Sequence, residues 1–449
     1  MLFPANNMGR PESYGAIPNS GMNCAPAINE CIAATNSCEF SDGVYTIGSS
    51  SMTAFDQSTI SFGWTPAQQN GVKLIGTGKT VLRLADNMNA SPGYAVNGLE
   101  YRIIQAIGPG GDGSVNIRNI EIRGITFDGN YNGVNGTSNP TLTTAGISTF
   151  GENTLIEDCK FQNFNVGIGN ATSFVIIAML SKASAQGAKG ATVRNCTFLP
   201  PGRNSIAPAG SPEQVVYIQV GGSVTAQILA SGCVVSGNTL RGDCNAQQIS
   251  PLAGISLAMT QAASVTGNNL DTFHGKCIYI DTGANYQASF TGNSALDVPN
   301  FLSLTTQNYG RIYGPAFANW TAIHNTPLFT GNTVRLKGPW NWNPGKYGPW
   351  PATLFAYYLD RDLDMNQLWF KGITFKDNSI DLAGSAQTTN LGGWWPPSGS
   401  IQPGQPAGPV PASPVIEQVF FFSNSGNRVG PLLIAGLLFF GISFGGKKK

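Results

Sequence analysis

Asp243, Asp271, His274, Lys276 and Asp281 lie close together in the chain, and their side chains are those of acid–base chemistry. One carboxylic acid can protonate a leaving oxygen while a second acts as base or nucleophile. At a glycosidic bond this requires the two to stand about 5–9.5 Å apart. His274 is one of only two histidines, and an imidazole suits proton transfer near neutral pH. These five residues form the candidate catalytic set. The competing reading is structural: Asp271 pairs with Arg241, and His274 closes a turn.

A second group could hold a cation. "YLDRDLDMN" places Asp360, Asp362 and Asp364 at alternate positions. On a strand they share one face and could bind calcium; a solvated polar face is the competing reading. It is not an EF-hand loop, because its sixth position is Met365 and its twelfth Lys371. No other cofactor is implied. A third group is aromatic. Seven of the eight tryptophans follow residue 319. Trp340, Trp342, Tyr347 and Trp350 crowd "GPWNWNPGKYGPW", and Trp394 and Trp395 precede a proline run. Interleaved Gly and Pro argue against a regular strand there, so these rings are candidates to stack on sugars or anchor a partner. Packing on the body of the protein, or between subunits, competes with that.

The elements that must position these groups are legible in a repeat. "VSGNTL" at 235–240 returns as "VTGNNL" at 265, "FTGNSA" at 290, "FTGNTV" at 329 and "FKDNSI" at 375. Looser copies start at Ile122, Ile156 and Val193. The starts differ by 34, 37, 42, 30, 25, 39 and 46 residues, a spacing of repeating units with variable loops. The first and sixth columns are apolar throughout. The third is mostly Gly, Asp or Asn. The fourth runs Ile125, Cys159, Cys196, then Asn238, Asn268, Asn293, Asn332 and Asn378. This describes two short strands joined by a sharp bend. Five asparagines in one column predict an amide ladder along parallel, in-register strands about 4.8 Å apart. The expected fold is all-β, a parallel β-solenoid of about nine or more rungs. The column after the repeat predicts outer ion pairs, Arg241 with Asp271 and Arg335 with Asp381, each worth about 0–1 kcal/mol.

Composition narrows the function. Asp, Glu, Lys and Arg make up 11% of residues and the net charge is +1, so no electrostatic footprint for nucleic acid exists. The N-terminus shows no secretory signal pattern. Among eight cysteines, Cys24, Cys31 and Cys38 read as buried thiols around a short helix, with a Cys31–Cys38 disulfide as the alternative in an oxidising compartment. The expected organisation is an N-terminal cap over 1–42, a β-helix over 43–395 with Trp-rich insertions, and a Pro-rich linker over 396–414. A last strand or rung follows over 415–428, then an apolar tail over 429–449. The uncharged stretch 429–446 ends at three lysines and is close to the shortest length that spans a membrane. It reads as a membrane anchor, or as a final rung buried between subunits.

"YGA" at 14–16, "AINECIAA" at 27–34, "CEFSDGVYTI" at 38–47, "GVKLIGTGKTVLRLADN" at 71–87 and "NIEIRGITFDGN" resemble the pectate-lyase-like superfamily of right-handed β-helices. The closest likeness is to the branch that includes phage tailspikes. The resemblance extends over roughly residues 12–395 and implies a right-handed parallel β-helix with a short N-terminal capping helix. It is specific for fold and weak for activity, because this fold hosts lyases, hydrolases and binders. Echoes of the polygalacturonase motifs at "NTL" 238–240, "GDC" 242–244, "FHG" 273–275 and "RIY" 311–313 each lack a required residue. The expected function is a virion-associated spike that binds host surface polysaccharide, located on a virion or outside the cell. Its expected assembly is a homo-oligomer, with a trimer as the candidate. An extracellular polysaccharide lyase or glycoside hydrolase is the alternative, and a structural or adhesive solenoid the third reading.

Overall fold

The structure, a computed structural model, describes residues 8–49, 59–86, 100–106, 117–133, 143–149, 151–165, 171–177, 189–201, 213–222, 229–242, 249–272, 276–280, 285–298, 300–305, 324–325, 328–337, 352–358, 370–383, 389–394 and 416–422. At the N-terminal end, helix α1 (Ala25–Thr35) buries Ile28, Cys31 and Ile32. Pro26 fits its first turn, and Asn36 in the left-handed conformation (φ 56°) ends it. Cys24, Cys31 and Cys38 are buried free thiols in this structure, and those of Cys31 and Cys38 lie against each other.

Beyond the cap, strands stack in two large sheets of 23 and 10 strands, and every strand pairing recorded is parallel. One rung shows the plan. Ile249–Ala258 runs in the ten-stranded sheet, and the chain turns at Met259 (φ 54°) into Thr260–Gln261. It turns again at Ala262 (φ 52°) into Ser264–Thr266, bends at Gly267 (φ 63°) and Asn268, and continues as Asn269–Asp271. The next rung begins at Lys276. The protein is a right-handed parallel β-helix.

The repeat alignment is the physical register. Ile122, Ile156, Val193, Val235, Val265, Phe290, Phe329 and Phe375 stand opposite one another in succession. Two further rungs extend the column, through Leu74 upstream and Phe421 downstream. The sixth column likewise stacks Phe127, Phe161 and Phe198, with ring centroids 4.9 and 4.6 Å apart. The third column is left-handed from end to end, at Gly124, Asp158, Asn195, Gly237, Gly267, Gly292, Gly331 and Asp377 (φ 53–64°). That is why only Gly, Asp and Asn occupy it.

The asparagine ladder is present. Each Nδ2 donates to the next Oδ1: Asn238 to Asn268 (2.9 Å), Asn268 to Asn293 (2.9 Å), Asn293 to Asn332 (3.0 Å) and Asn332 to Asn378 (2.8 Å). The second Nδ2 hydrogen reaches a backbone carbonyl, of Val193 from Asn238 and of Val235 from Asn268. Each Oδ1 also accepts a backbone N–H from the rung before. The four amides from Asn238 to Asn332 are 0–1% exposed yet fully partnered, as burial of a polar group requires.

The expected outer ion pairs are corrected. Arg241 and Asp271 stand in register, but no ion pair within 4.0 Å joins them. Arg335 pairs with Asp297 (2.7 Å), not Asp381. The register slips between Ala295 and Val298, and Asp297 is left-handed (φ 56°). That bulge carries its carboxylate to the guanidinium. Charge concentrates upstream instead, where Arg123 reaches Glu121 (2.8 Å) and Glu157 (3.1 Å), and Arg194 also pairs with Glu157. Among the described residues, no helix is long and apolar enough to cross a membrane. The linker 396–414 and the tail 429–449 lie outside the described residues.

Candidate functional site

The ten-stranded sheet offers the longest regular face whose strand ends carry the sequence candidates. In Ile218–Gln219–Val220 the outer two side chains are 0–1% exposed and Gln219 is part-exposed. Ile147–Ser148–Thr149 repeats this, with Ser148 the exposed member. Alternation therefore turns the aliphatic residues inward and the polar one outward. Parallel register places one residue of each strand in a single row: Ser61, Gln105, Ser148, Ile176, Gln219, Ser256, Tyr279, Ser303, Ala356 and Gly393.

A second row lies beside it. Tyr217 points inward, its Oη donating to the Arg241 carbonyl (2.7 Å) and its ring 6.1 Å from Phe198. Since Ile218 is also buried, the strand bends between them and parity shifts. Val216 and its partner Ala253 consequently form a small apolar cluster apart from the main core. In register with them stand Ser173 on one side and Lys276 and Asn300 on the other. Arg102 occupies the same strand position near the N-terminal end.

Two atoms on the first row are unusual. Gln105 is 8% exposed and Ser256 0%, and neither Gln105 Oε1 nor Ser256 Oγ has a hydrogen-bond partner. A buried polar atom left unpaired costs about 1–3 kcal/mol, so such atoms mark places where a ligand or water belongs. Amides, hydroxyls and a small apolar patch can bind a hydroxylated ligand, and neither row contains a carboxylate for acid–base work. The signal for the first row was in the sequence as "IST", "IQV", "ISL", "IYI" and "LSL", one triplet before each rung.

The sequence candidates divide. Asp271 ends a strand of the other sheet, part-buried, its carbonyl accepting from Gly242 N (2.8 Å). Lys276 opens a strand of the ten-stranded sheet, in the Val216–Ala253 row, and Trp394 closes the last strand opposite Tyr357. Asp243, His274, Asp281, Trp340, Trp342, Tyr347, Trp350, Asp360, Asp362, Asp364 and Trp395 lie outside the described residues. Chain order nevertheless ties each to this sheet. Asp243 precedes Ile249–Ala258, His274 precedes Lys276–Ile280, and the Trp340–Trp350 group precedes Ala352–Tyr358. Asp281, the three aspartates at 360–364 and Trp395 follow strands of the same sheet. In the chain, Asp243 and His274 thus come before strands of this sheet and Asp281 after one. Among the described residues, no group of three His, Cys, Asp or Glu could hold a metal ion.

No family model matches the sequence, and no curated protein sequence matches it. Solved structures do resemble it. A mutant tailspike of E. coli bacteriophage HK620, in complex with a pentasaccharide, superposes with a TM-score of 0.50 at 14% identity, covering 92% of this chain and 65% of that one. The Streptococcus pneumoniae surface protein and adhesin PfbA gives 0.49 at 10% identity, covering 93% and 92%. An exopolygalacturonase from Thermotoga maritima gives 0.45 at 11% identity, covering 87% and 90%. At these identities the likeness is one of architecture, and the chain has the fold of the pectate-lyase-like right-handed parallel β-helix proteins.

Proposed function

We propose that this protein binds surface polysaccharide along the outer face of its ten-stranded sheet, as a virion-associated spike. The observation that carries the proposal is the row Gln105, Ser148, Ile176, Gln219 and Ser256, uncharged and polar at every position but Ile176, with two unpaired polar atoms. Ten strands about 4.8 Å apart extend for about 43 Å, a length that suits a polymer presenting hydroxyls at regular intervals. The tailspike that shares this architecture was solved with a pentasaccharide bound, which supports the same class of ligand. The tryptophans tethered at strand starts would add stacking surface. Homo-oligomeric assembly, and membrane contact through 429–446, belong to the same proposal. Replacing Gln219 by Ala should weaken retention on an immobilised host polysaccharide about tenfold while melting stays unchanged. Unaltered retention would remove this face from the site.

Cleavage is the second reading, favoured by Asp243 and His274 preceding adjacent strands of the same sheet. If it holds, Asp243→Asn should abolish shortening of the polysaccharide and leave binding intact. A wild-type protein that releases no shorter chains would end that reading.

A further inference from the structure

We infer that the ligand of this face is an uncharged polysaccharide strand, a conclusion that rests on the binding role proposed above. The first row contains no ionisable carboxylate, amine or guanidinium from Ser61 to Gly393. In the second row the cations are Arg102 and Lys276, and Ala145, Ser173, Val216 and Ala253 fill the strands between them. Among the described residues, that leaves about 24 Å along these rows with no cationic partner.

A polymer of uronic acids would lay one carboxylate per sugar across that stretch. Each would lie along uncharged strand positions without a countercharge, which desolvation of an ion does not tolerate. Nor do the rows hold an Asp or Glu through which a divalent cation could bridge protein to carboxylate. At a distance, 25 basic against 24 acidic residues give no field to steer a polyanion. A neutral sugar strand meets the opposite situation. Its hydroxyls both donate and accept, so they suit a row of amides and hydroxyls and can pair with the unpaired Gln105 Oε1.

The test uses the full chain and a panel of immobilised polymers: dextran, mannan and galactan as neutral probes, polygalacturonate and alginate as acidic ones, and carboxyl-reduced polygalacturonate. We expect retention on at least one neutral polymer, about tenfold or more above either uronate. It should change less than about twofold between about 0.05 and 0.5 M NaCl, because no ion pair is being screened. Gln219→Lys should shift the preference toward polygalacturonate in a salt-sensitive way, and Gln219→Glu should not. Tighter, salt-sensitive binding of a uronate by the wild type, lost on carboxyl reduction, would overturn this inference and leave the binding role standing. Failure to bind any polymer would overturn the binding role itself, and this inference with it.

Discussion

The same corner of the β-helix is built in two ways. In the upstream rungs the position after the left-handed residue is Ile125, Cys159 or Cys196; in the downstream rungs it is asparagine, from Asn238 to Asn378. The thiols reach the preceding rung at 3.7 Å, Cys159 to the Ile122 carbonyl and Cys196 to the Ile156 carbonyl, and each also meets a carbonyl of its own rung at 3.2 Å, of Glu157 and Arg194. The amides bind the equivalent carbonyls at 2.9–3.0 Å and one another as well. What surrounds the corner changes with it. Upstream, Phe127, Phe161 and Phe198 stack inside, and Glu157 bridges two arginines outside. Downstream, the matching interior residues are Leu240, Leu270, Ala295 and Val334, and the outer positions are Ser236, Thr266, Thr291 and Thr330. One backbone path thus carries stacked aromatics in its sixth column upstream, and a hydrogen-bonded amide chain downstream, where the stacked rings of Phe290 and Phe329 stand in the first column instead.

The sharpest way to break this contrast is at the centre of the aromatic stack. Phe161→Ala should destabilise by about 3–5 kcal/mol, read from denaturant unfolding, since neighbouring rings sit on both sides of Phe161. A loss under about 1 kcal/mol would mean that the stack is not what holds the upstream rungs.

Next in size is Asn268→Leu. It strands the Asn238 backbone N–H and one Asn238 Nδ2 hydrogen, both of which donate to Asn268 Oδ1. At about 1–3 kcal/mol for each unpaired donor, a loss of about 2–6 kcal/mol is expected. An unchanged midpoint would show that the ladder contributes nothing beyond the packing around it. The smallest effect tests whether the two corners are interchangeable. Cys196→Asn places an amide one rung above Asn238, whose Oδ1 already accepts the Cys196 N–H. Stability should stay within about 1 kcal/mol of wild type. A larger loss would show that the upstream corner is shaped for a thiol.

Much of this was readable before any coordinates. Parallel in-register stacking puts like residues opposite like residues, so a column of the sequence alignment is already a list of contacts. Val235, Val265 and Phe290 needed no geometry to be placed together, and neither did the asparagines. The ligand face was harder to see. Its strands are separated from the repeat by segments of unequal length, so "IQV" and "ISL" do not align when the asparagines do. The bend at Tyr217–Ile218 also interrupts the period of two on which strand reading depends. Asp243, His274 and Asp281 were chosen for residue type and nearness in the chain. What the fold adds is that the first two come before strands of the ten-stranded sheet and the third after one.

The sequence alone determined the fold and the order of its rungs, because the left-handed Gly, Asp or Asn before each ladder position and the apolar residues on either side are local requirements repeated in one chain. Tertiary structure decided which charges pair. Arg335 takes Asp297 rather than Asp381 because a bulge in the neighbouring strand turns that aspartate to the outer face, and no spacing rule records a bulge. It also decided which polar residues share a face. Gln105 and Ser256 are far apart in the chain and unlike in type, and they belong to one row only because the three strands between them, at Ser148, Ile176 and Gln219, stack in register.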